Sequence, residues 1–188
     1  LYSTTTPQWA TRIWWMLRAF GFEGVRILDG GFTAWTRAGH PVSTEPSSYP
    51  ATTFEARYRP GIFCDRADVL AGMDASGCSL LNALSAAQHD GTDARHYGRP
   101  GHISGSVNVP AMDLLDPDSG CYRSPEELRA AFAASGALEA EEVVHYCGGG
   151  IAASSTAFVM ALLGHEHVKI YDASLSEWAA DPALPMSR

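Results

Sequence analysis

The sequence contains no apolar run that approaches the roughly 20 residues needed to cross a bilayer, so we predict no membrane association. It is also short of positive charge: 13 Lys and Arg stand against 21 Asp and Glu, for a formal net charge of −8. Contacts to nucleic-acid phosphates need clustered Lys and Arg, which excludes nucleic acid as the main partner. The same charge repels anionic substrates, so an anion site must be built from local groups.

Cysteine is sparse and unpaired along the chain. The spacings are wide and uneven, with no Cys-x-x-Cys pair and no His/Cys group at zinc-binding spacing. This pattern argues against a disulfide scaffold, predicts no metal site, and favours a reducing, cytoplasmic location. The four cysteines are Cys64, Cys78, Cys121 and Cys147.

The sequence does contain an alternation of helix-like and strand-like segments. Apolar residues at helical spacing predict helices over 9–20, 65–73, 124–134 and 151–163. Short apolar runs predict strands over 1–3, 25–28, 78–83, 143–146 and 168–171. Asp65 and Ser124 are the predicted N-caps, and Pro125 and Glu127 complete a capping signature behind Ser124. The alternation predicts an α/β fold with a central, mainly parallel sheet flanked by helices.

The chain also repeats itself. Residues 10–35 align with residues 153–178 at an offset of 143. The identical pairs include Gly21/Gly164, Glu23/Glu166, Val25/Val168, Ile27/Ile170, Asp29/Asp172 and Trp35/Trp178. Just upstream the offset becomes 144, which places Ser3 opposite Cys147. Two related units are therefore predicted, and only the second carries a thiol at this position.

The first copy is shorter than the second. Nothing equivalent to the first half of the second unit precedes Leu1. We therefore expect residues 1–45 to be the C-terminal half of a domain, residues 46–60 a linker, and residues 61–188 a complete domain. Alone, the first piece would expose a sheet edge and apolar helix faces, so a missing half-domain or another chain is expected to pack on it.

The second unit is organised around Cys147. A predicted strand leads into this cysteine, three glycines follow it, and a helix-forming run begins at Ile151. In such a turn backbone N–H groups converge, and the helix N-terminus adds partial positive charge. Both effects favour a thiolate, so we weigh a catalytic thiol above the alternative of an inert buried cysteine.

The remaining candidate groups have simpler interpretations. The other three cysteines are predicted to be structural: Cys78 begins an apolar strand and belongs to the core, and Cys64 and Cys121 lie in loops or turns. His145, two residues before Cys147, is predicted to be a structural histidine, and His102 is predicted to organise its turn-rich loop. Arg95 and Arg99 are the candidate anion-binding groups, although a surface arginine is usually only solvated.

Four segments match a known family. They are residues 9–18 with 28–32, residues 100–108 (similar to "GHIPGAVN"), the loop at 146–152, and residues 171–178 (similar to "YDGSWSEW"). On these motifs the chain resembles the tandem-domain rhodaneses, the thiosulfate and 3-mercaptopyruvate sulfurtransferases. The resemblance covers nearly the whole chain. It implies a catalytic rhodanese-like domain preceded by the C-terminal half of an inactive one.

The resemblance also implies a mechanism. The Cys147 thiolate attacks the outer sulfur of a small donor, thiosulfate or 3-mercaptopyruvate, and becomes a persulfide. A thiol or cyanide then accepts this sulfur, and neither a metal nor an organic cofactor is needed. The terminal sulfur is expected to be held by the loop residues Gly148, Gly149, Gly150, Ile151 and Ala152.

The loop departs from the family pattern. Mercaptopyruvate-type loops resemble Cys-Gly-Ser-Gly-Val-Thr, whereas this chain has Gly149 for the serine and Ala152 for the threonine. Thiosulfate-type loops usually carry Arg or Lys, and this loop has neither. Related phosphatases and arsenate reductases need an arginine at the end of a longer loop; Ala153 stands there instead, which excludes phosphoryl chemistry.

Cationic positions outside the loop are also altered. The family's "DAR" segment begins here at Asn82 and ends at Leu84, and Gln88 replaces a substrate-binding arginine. Arg95 is the nearest candidate for the second substrate arginine, with Arg99 behind it. The alternative to an enzyme is therefore a non-catalytic sulfur carrier or binding module on the same fold.

Overall fold

The structure, a computed structural model, describes residues 1–188. Its centre is a five-stranded parallel sheet with the strand order β1-β6-β5-β2-β4, and a two-stranded antiparallel pair, β3-β7, lies beside it. The strands are β1 (Phe63–Cys64), β2 (Cys78–Asn82), β3 (His102–Ile103), β4 (Val107–Asn108), β5 (Glu142–Tyr146), β6 (Val168–Tyr171) and β7 (Met186–Ser187). The predicted α/β class with a mainly parallel sheet is confirmed.

The chain also forms seven α-helices and one 3₁₀ turn (Ala137–Glu139). The helices are α1 (Gln8–Ala19), α2 (Gly31–Arg37), α3 (Arg66–Met73), α4 (Ala86–His89), α5 (Pro125–Ala134), α6 (Ile151–Leu162) and α7 (Ser174–Trp178). Helix α3 packs on β2, and α6 packs on β5 and β6. None of the helices combines the length and hydrophobicity that a bilayer crossing requires.

The two predicted N-caps begin their helices as expected. Asp65 accepts the backbone N–H groups of Ala67 and Asp68, and Ser124 accepts that of Glu127. Both sites also have the reciprocal bond from the third helical residue, so each is a complete capping box. These local signals set where α3 and α5 start.

The core lies around β5, the central strand. Four of its five residues are buried, because a parallel strand with neighbours on both sides and helices on its faces meets no water. Helix α6 is buried from Ala153 to Met160 because the sheet lies on one side and α1 on the other. The strand-loop-helix junction is therefore held from both ends by packed elements.

Helix α1 belongs to the first segment but packs against α6 of the second. The Thr11 hydroxyl lies 3.0 Å from that of Ser154, and the Trp15 indole donates to the Ser154 carbonyl at 2.9 Å. Trp14 meets Phe158 edge to face at 5.1 Å. This interface joins the two segments through both polar and apolar contacts.

The strands predicted at 1–3 and 25–28 are not formed. The two stretches are extended but share only two hydrogen bonds, from the Leu1 amino group to the Arg26 carbonyl and from the Leu28 N–H to the Leu1 carbonyl. No further strand lies beside them, and an isolated short pair does not make a sheet. Several apolar side chains here stay exposed: Leu1, Tyr2, Phe22, Leu28 and Phe32.

Two smaller corrections concern short elements. Cys64, predicted in a loop, lies in β1, where it pairs with Tyr171 of β6. Strand β7 was not predicted, because its two residues carry no periodic pattern and are specified by pairing with His102 and Ile103. Very short strands of this kind are determined by tertiary contacts and not by local sequence.

Candidate active site

Cys147 lies at the carboxyl end of β5, immediately before the loop that begins α6. Its side chain is buried, with the residue 2% exposed, and it lines a cavity of about 840 Å³. The segment that follows β2, from Ala83 to Gln88, forms a second wall. The cavity therefore lies outside the carboxyl ends of neighbouring parallel strands, where α/β proteins usually bind ligands.

One side chain of α7 holds the loop in place. The Ser174 hydroxyl accepts the N–H groups of Cys147 at 3.1 Å and Gly150 at 3.2 Å, and donates to the Tyr171 carbonyl at 2.8 Å. Ser174 is also the single non-glycine residue with a positive φ, at 53°. Such a conformation costs free energy and persists only where surrounding contacts stabilise it. We therefore call Ser174 the brace of the loop, the residue that holds it in position.

Two further residues of α7 also hold the loop in position. The Leu175 N–H donates to the Cys147 carbonyl at 3.0 Å. Ser176 donates to the Gly148 carbonyl through its N–H at 2.9 Å and its hydroxyl at 2.6 Å. The loop carbonyls are thus turned toward α7.

Most loop N–H groups remain available. No hydrogen bond within the protein is donated by the backbone N–H groups of Gly148, Gly149, Ile151, Ala152 and Ala153. The expected cradle is corrected at Gly150, whose N–H is occupied by Ser174. The free donors surround the start of α6, where the helix dipole adds partial positive charge. This arrangement suits an anionic sulfur at Cys147.

The three loop glycines are constrained differently. A Cβ on Gly148 would lie 1.9 Å from the Tyr97 ring, which covers it. Gly150 has φ +78°, and a Cβ there would lie 2.8 Å from the carbonyl oxygen of Asp172. Gly149 is open, since its nearest neighbour would be the Ser176 hydroxyl at 3.8 Å. Of the three glycines, only Gly149 has room for a side chain without a close contact.

The first segment supplies a cation beside this loop. Arg12 of α1 forms an ion pair with Asp172, and its guanidinium would lie 3.1 Å from a Cβ on Gly150. Sequence patterns did not point to Arg12, because its partner lies 160 residues away. The pair links α1 to the segment that braces the loop.

The three predicted anion-binding residues, Gln88, Arg95 and Arg99, do not all lie at one site. Gln88 and Arg95 line the cavity, and the Gln88 amide donates to the Arg95 carbonyl at 3.3 Å. The Arg95 side chain is 86% exposed and lies 3.5 Å from Asp93. Arg99 does not line the cavity, and the assignment of a substrate contact to it is wrong. Its guanidinium donates to four backbone carbonyls, those of Trp178, Ala179, Asp181 and Leu184.

Asn82 and Leu84, at which the chain departs from the "DAR" segment, have different roles. Asn82 is fully buried and braces the end of β2, where its side-chain oxygen accepts the Leu84 N–H at 2.8 Å. Leu84 itself lines the cavity, so an apolar side chain stands there.

No histidine lines the cavity. His145 is fully buried, shares a 2.8 Å hydrogen bond with the Thr156 hydroxyl, and has its pKa lowered by burial to about 3. His102 is hydrogen-bonded to the His89 carbonyl at 2.8 Å, and the two rings stack. Both predicted structural roles are confirmed, and general-base help for the thiol from a histidine is absent.

Three large side chains at the cavity mouth were missed by sequence reasoning. Trp9 comes from α1, Tyr97 from the loop before β3, and Met112 from the segment after β4. Their positions in the chain carry no shared pattern, so only the fold brings them together.

We expect removal of the Ser174 hydroxyl to loosen the loop. Ser174→Ala leaves two N–H groups unpartnered and should lower the free energy of unfolding by ~2–3 kcal/mol, measured by urea denaturation. Ser174→Gly removes the same hydroxyl but relieves the positive φ, and should be about 1 kcal/mol more stable than the alanine variant. Any turnover that depends on Cys147 should fall about tenfold in both. Unchanged turnover in Ser174→Ala would contradict the role of a brace.

Fold and site together define an α/β protein with a cysteine loop at the end of its central strand. The sequence profile of the rhodanese-like domain matches residues 77–181, and the chain belongs to this family. It is 36% identical over 173 residues to the thiosulfate sulfurtransferase of Rattus norvegicus, a match that covers 90% of this chain and 58% of that protein. It is 35% identical over 171 residues to the 3-mercaptopyruvate sulfurtransferase of Mus musculus, covering 90% and 57%.

A third relative is a sulfur carrier. The sulfur carrier protein TtuD of Thermus thermophilus is 33% identical over 201 residues, a match that covers 100% of this chain and 70% of that protein. The chain thus spans somewhat over half the length of the two sulfurtransferases and a larger share of the carrier.

Solved structures show the same fold. The anaerobic ergothioneine biosynthesis enzyme of Chlorobium limicola superposes with a TM-score of 0.84 at 23% identity, covering 96% of this chain and 45% of that one. A structure of EanB with a cysteine persulfide and ergothioneine gives a TM-score of 0.84 at 25% identity, with the same coverage.

Proposed function

We propose that the chain is a sulfurtransferase that moves a sulfane sulfur through a persulfide on Cys147. The Cys147 thiolate attacks the outer sulfur of thiosulfate or 3-mercaptopyruvate, and sulfite or pyruvate leaves. A thiol or cyanide then attacks the bound sulfur and releases the Cys147 thiolate. The observation that carries this proposal is the loop around Cys147, with five backbone N–H groups that have no partner in the protein.

These N–H donors can stabilise both anions that the cycle forms at Cys147. The thiolate and the terminal sulfur of the persulfide are anions in a site with no histidine and little charge. Backbone N–H groups and a helix N-terminus stabilise such anions without a titrating side chain. The proposed cycle requires neither a metal nor an organic cofactor.

A sulfur carrier is the second candidate. The cavity contains a single cation, Arg95, and this cation is mostly exposed, so two charged groups do not converge on a small dianionic donor. The likeness to a named sulfur carrier points the same way. A carrier would hold the persulfide stably and pass it to one specific acceptor, whereas an enzyme would turn over with a small donor.

Intact mass measurement tests both candidates. After incubation with thiosulfate or with 3-mercaptopyruvate, we expect a mass gain of one sulfur that cyanide removes, together with steady release of thiocyanate when donor and cyanide are both present. Loading without turnover would favour the carrier. No gain from either donor would contradict the proposed enzyme.

We also propose the domain division predicted from the repeat, with residues 1–45 as the C-terminal half of an inactive rhodanese-like domain. The first segment supports it: the Phe32 N–H donates to the Ser3 carbonyl at 2.9 Å, as the Leu175 N–H does to that of Cys147 at 3.0 Å. A complementary half-domain, from this protein or another chain, would cover its exposed apolar side chains. Four unpaired thiols suit a cytoplasmic location.

A further inference from the structure

The cavity above Cys147 is large for the chemistry proposed there. Its volume of about 840 Å³ falls in the range of sites that enclose drug-sized organic molecules. Thiosulfate has five heavy atoms, and it would occupy only a small part of this space. The remaining volume must be filled by solvent or by a larger sulfur compound.

The walls of the cavity are apolar and nearly uncharged. Eleven of its 18 lining residues are hydrophobic. The charged members are Arg95 and Asp113, one of each sign, so the lining as a whole has no net charge. Arg99, the other candidate cation, is committed to backbone carbonyls. The walls therefore hold no pair of cations that would select for a small, doubly charged ligand.

Three apolar side chains remain partly uncovered at the mouth. Trp9 is 56% exposed, Met112 59% and Tyr97 43%. The amide of Gln8 donates to the Met112 sulfur at 3.3 Å, which ties the wall from α1 to the wall after β4. Indole, phenol and thioether groups pack favourably on aromatic rings, and each would lose exposed surface when an aromatic ligand enters.

We infer that the sulfur acceptor of this site is an organic thiol with an apolar, aromatic body. This inference rests on the proposed persulfide of Cys147. The acceptor thiolate attacks the terminal sulfur of the persulfide, the S–S bond to Cys147 breaks, and the Cys147 thiolate leaves. The product is the acceptor's persulfide anion, so charge and electrons balance and the step needs no oxidant or reductant. The aromatic body lies against Trp9, Met112 and Tyr97 while its thiol reaches the loop.

Discharge of the persulfide by two simple thiols tests the inference. The protein is loaded with thiosulfate, 3-mercaptopyruvate or inorganic polysulfide, freed of donor, and mixed with 2-phenylethanethiol or 2-mercaptoethanol at equal thiolate concentration. Loss of the added sulfur is followed by intact mass, and the small hydropersulfide is trapped by alkylation. We expect the phenyl compound to discharge the protein at about tenfold lower concentration, because only its ring is taken up by the cavity.

Variants connect the preference to the mouth of the cavity. Trp9→Ala and Met112→Gln each alter an exposed side chain and should reduce the preference to about threefold or less. Tyr49→Ala, which removes an exposed aromatic ring outside the cavity, should preserve it. Equal discharge by both thiols, or a preference that survives in both cavity variants, would overturn the inference and leave sulfur transfer intact. Failure of all three donors to load Cys147 would overturn the proposed function and this inference together.

Discussion

Replacement of Cys147 by serine is expected to abolish sulfur loading and turnover completely, while the fold survives. A serine hydroxyl is not ionised at neutral pH and cannot form the S–S bond that stores the transferred sulfur. The site is buried, and serine differs from cysteine by one atom, so the loop should keep its contacts to Ser174. Intact mass after incubation with donor, and circular dichroism for the fold, measure the two halves of this expectation.

The other cysteines provide matched controls. Burial raises the pKa of the Cys64 thiol to about 12 and also raises that of Cys78, so neither is a ready nucleophile. Cys78→Ser and Cys121→Ser should therefore load one sulfur as the unmodified protein does. A cyanide-labile sulfur that persists in Cys147→Ser would show that the thiol has been assigned to the wrong residue.

Gly150→Ala is expected to have the second largest effect. At φ +78° an alanine is strained, and its Cβ would lie 2.8 Å from both the carbonyl and the side-chain oxygen of Asp172. The loop must move to relieve this contact, which also disturbs the bond from the Gly150 N–H to Ser174. We expect ~2–4 kcal/mol less free energy of unfolding and about a hundredfold lower turnover.

Gly149→Ala is the matched control for that change. The added methyl group meets only the Ser176 hydroxyl at 3.8 Å, and the backbone conformation there is not left-handed. The free energy of unfolding should stay close to that of the unmodified protein and turnover within about twofold of it, since no contact is lost. Similar losses in both variants would mean that the loop tolerates no side chain at all, and that the contact with Asp172 is not the cause.

Local sequence signals predicted the parts of the fold that depend on local chemistry. The caps at Asp65 and Ser124 satisfy N–H groups within three residues, so the helix starts were predictable. Strand β5 and helix α6 were predictable because apolar runs of this length have few alternatives. The same reasoning located Cys147 at their junction.

The details of the site depend on contacts between distant residues. The role of Ser174 requires its hydroxyl to reach a loop 24 to 27 residues away, and no sequence pattern around Ser174 predicts this contact. Arg95 and Arg99 look alike in sequence, yet one is solvated at the cavity and the other is bound to four carbonyls. Arg99 differs from Arg95 because the C-terminal segment packs beside it and supplies the carbonyls that bind its guanidinium.

The docking of α1 on α6 has a thermodynamic consequence. Helix α1 contributes a wall of the cavity through Trp9, and it is held to α6 by noncovalent contacts such as those of Thr11 and Trp15 with Ser154. Any molecule that binds between Trp9 and the opposite wall must therefore stabilise the docked helix, by RT ln(1 + [L]/Kd) if it binds the docked state alone. A change that leaves α1 docked in only a fraction of the molecules lowers the apparent affinity for that molecule by that fraction, while Cys147 remains in place at the end of β5.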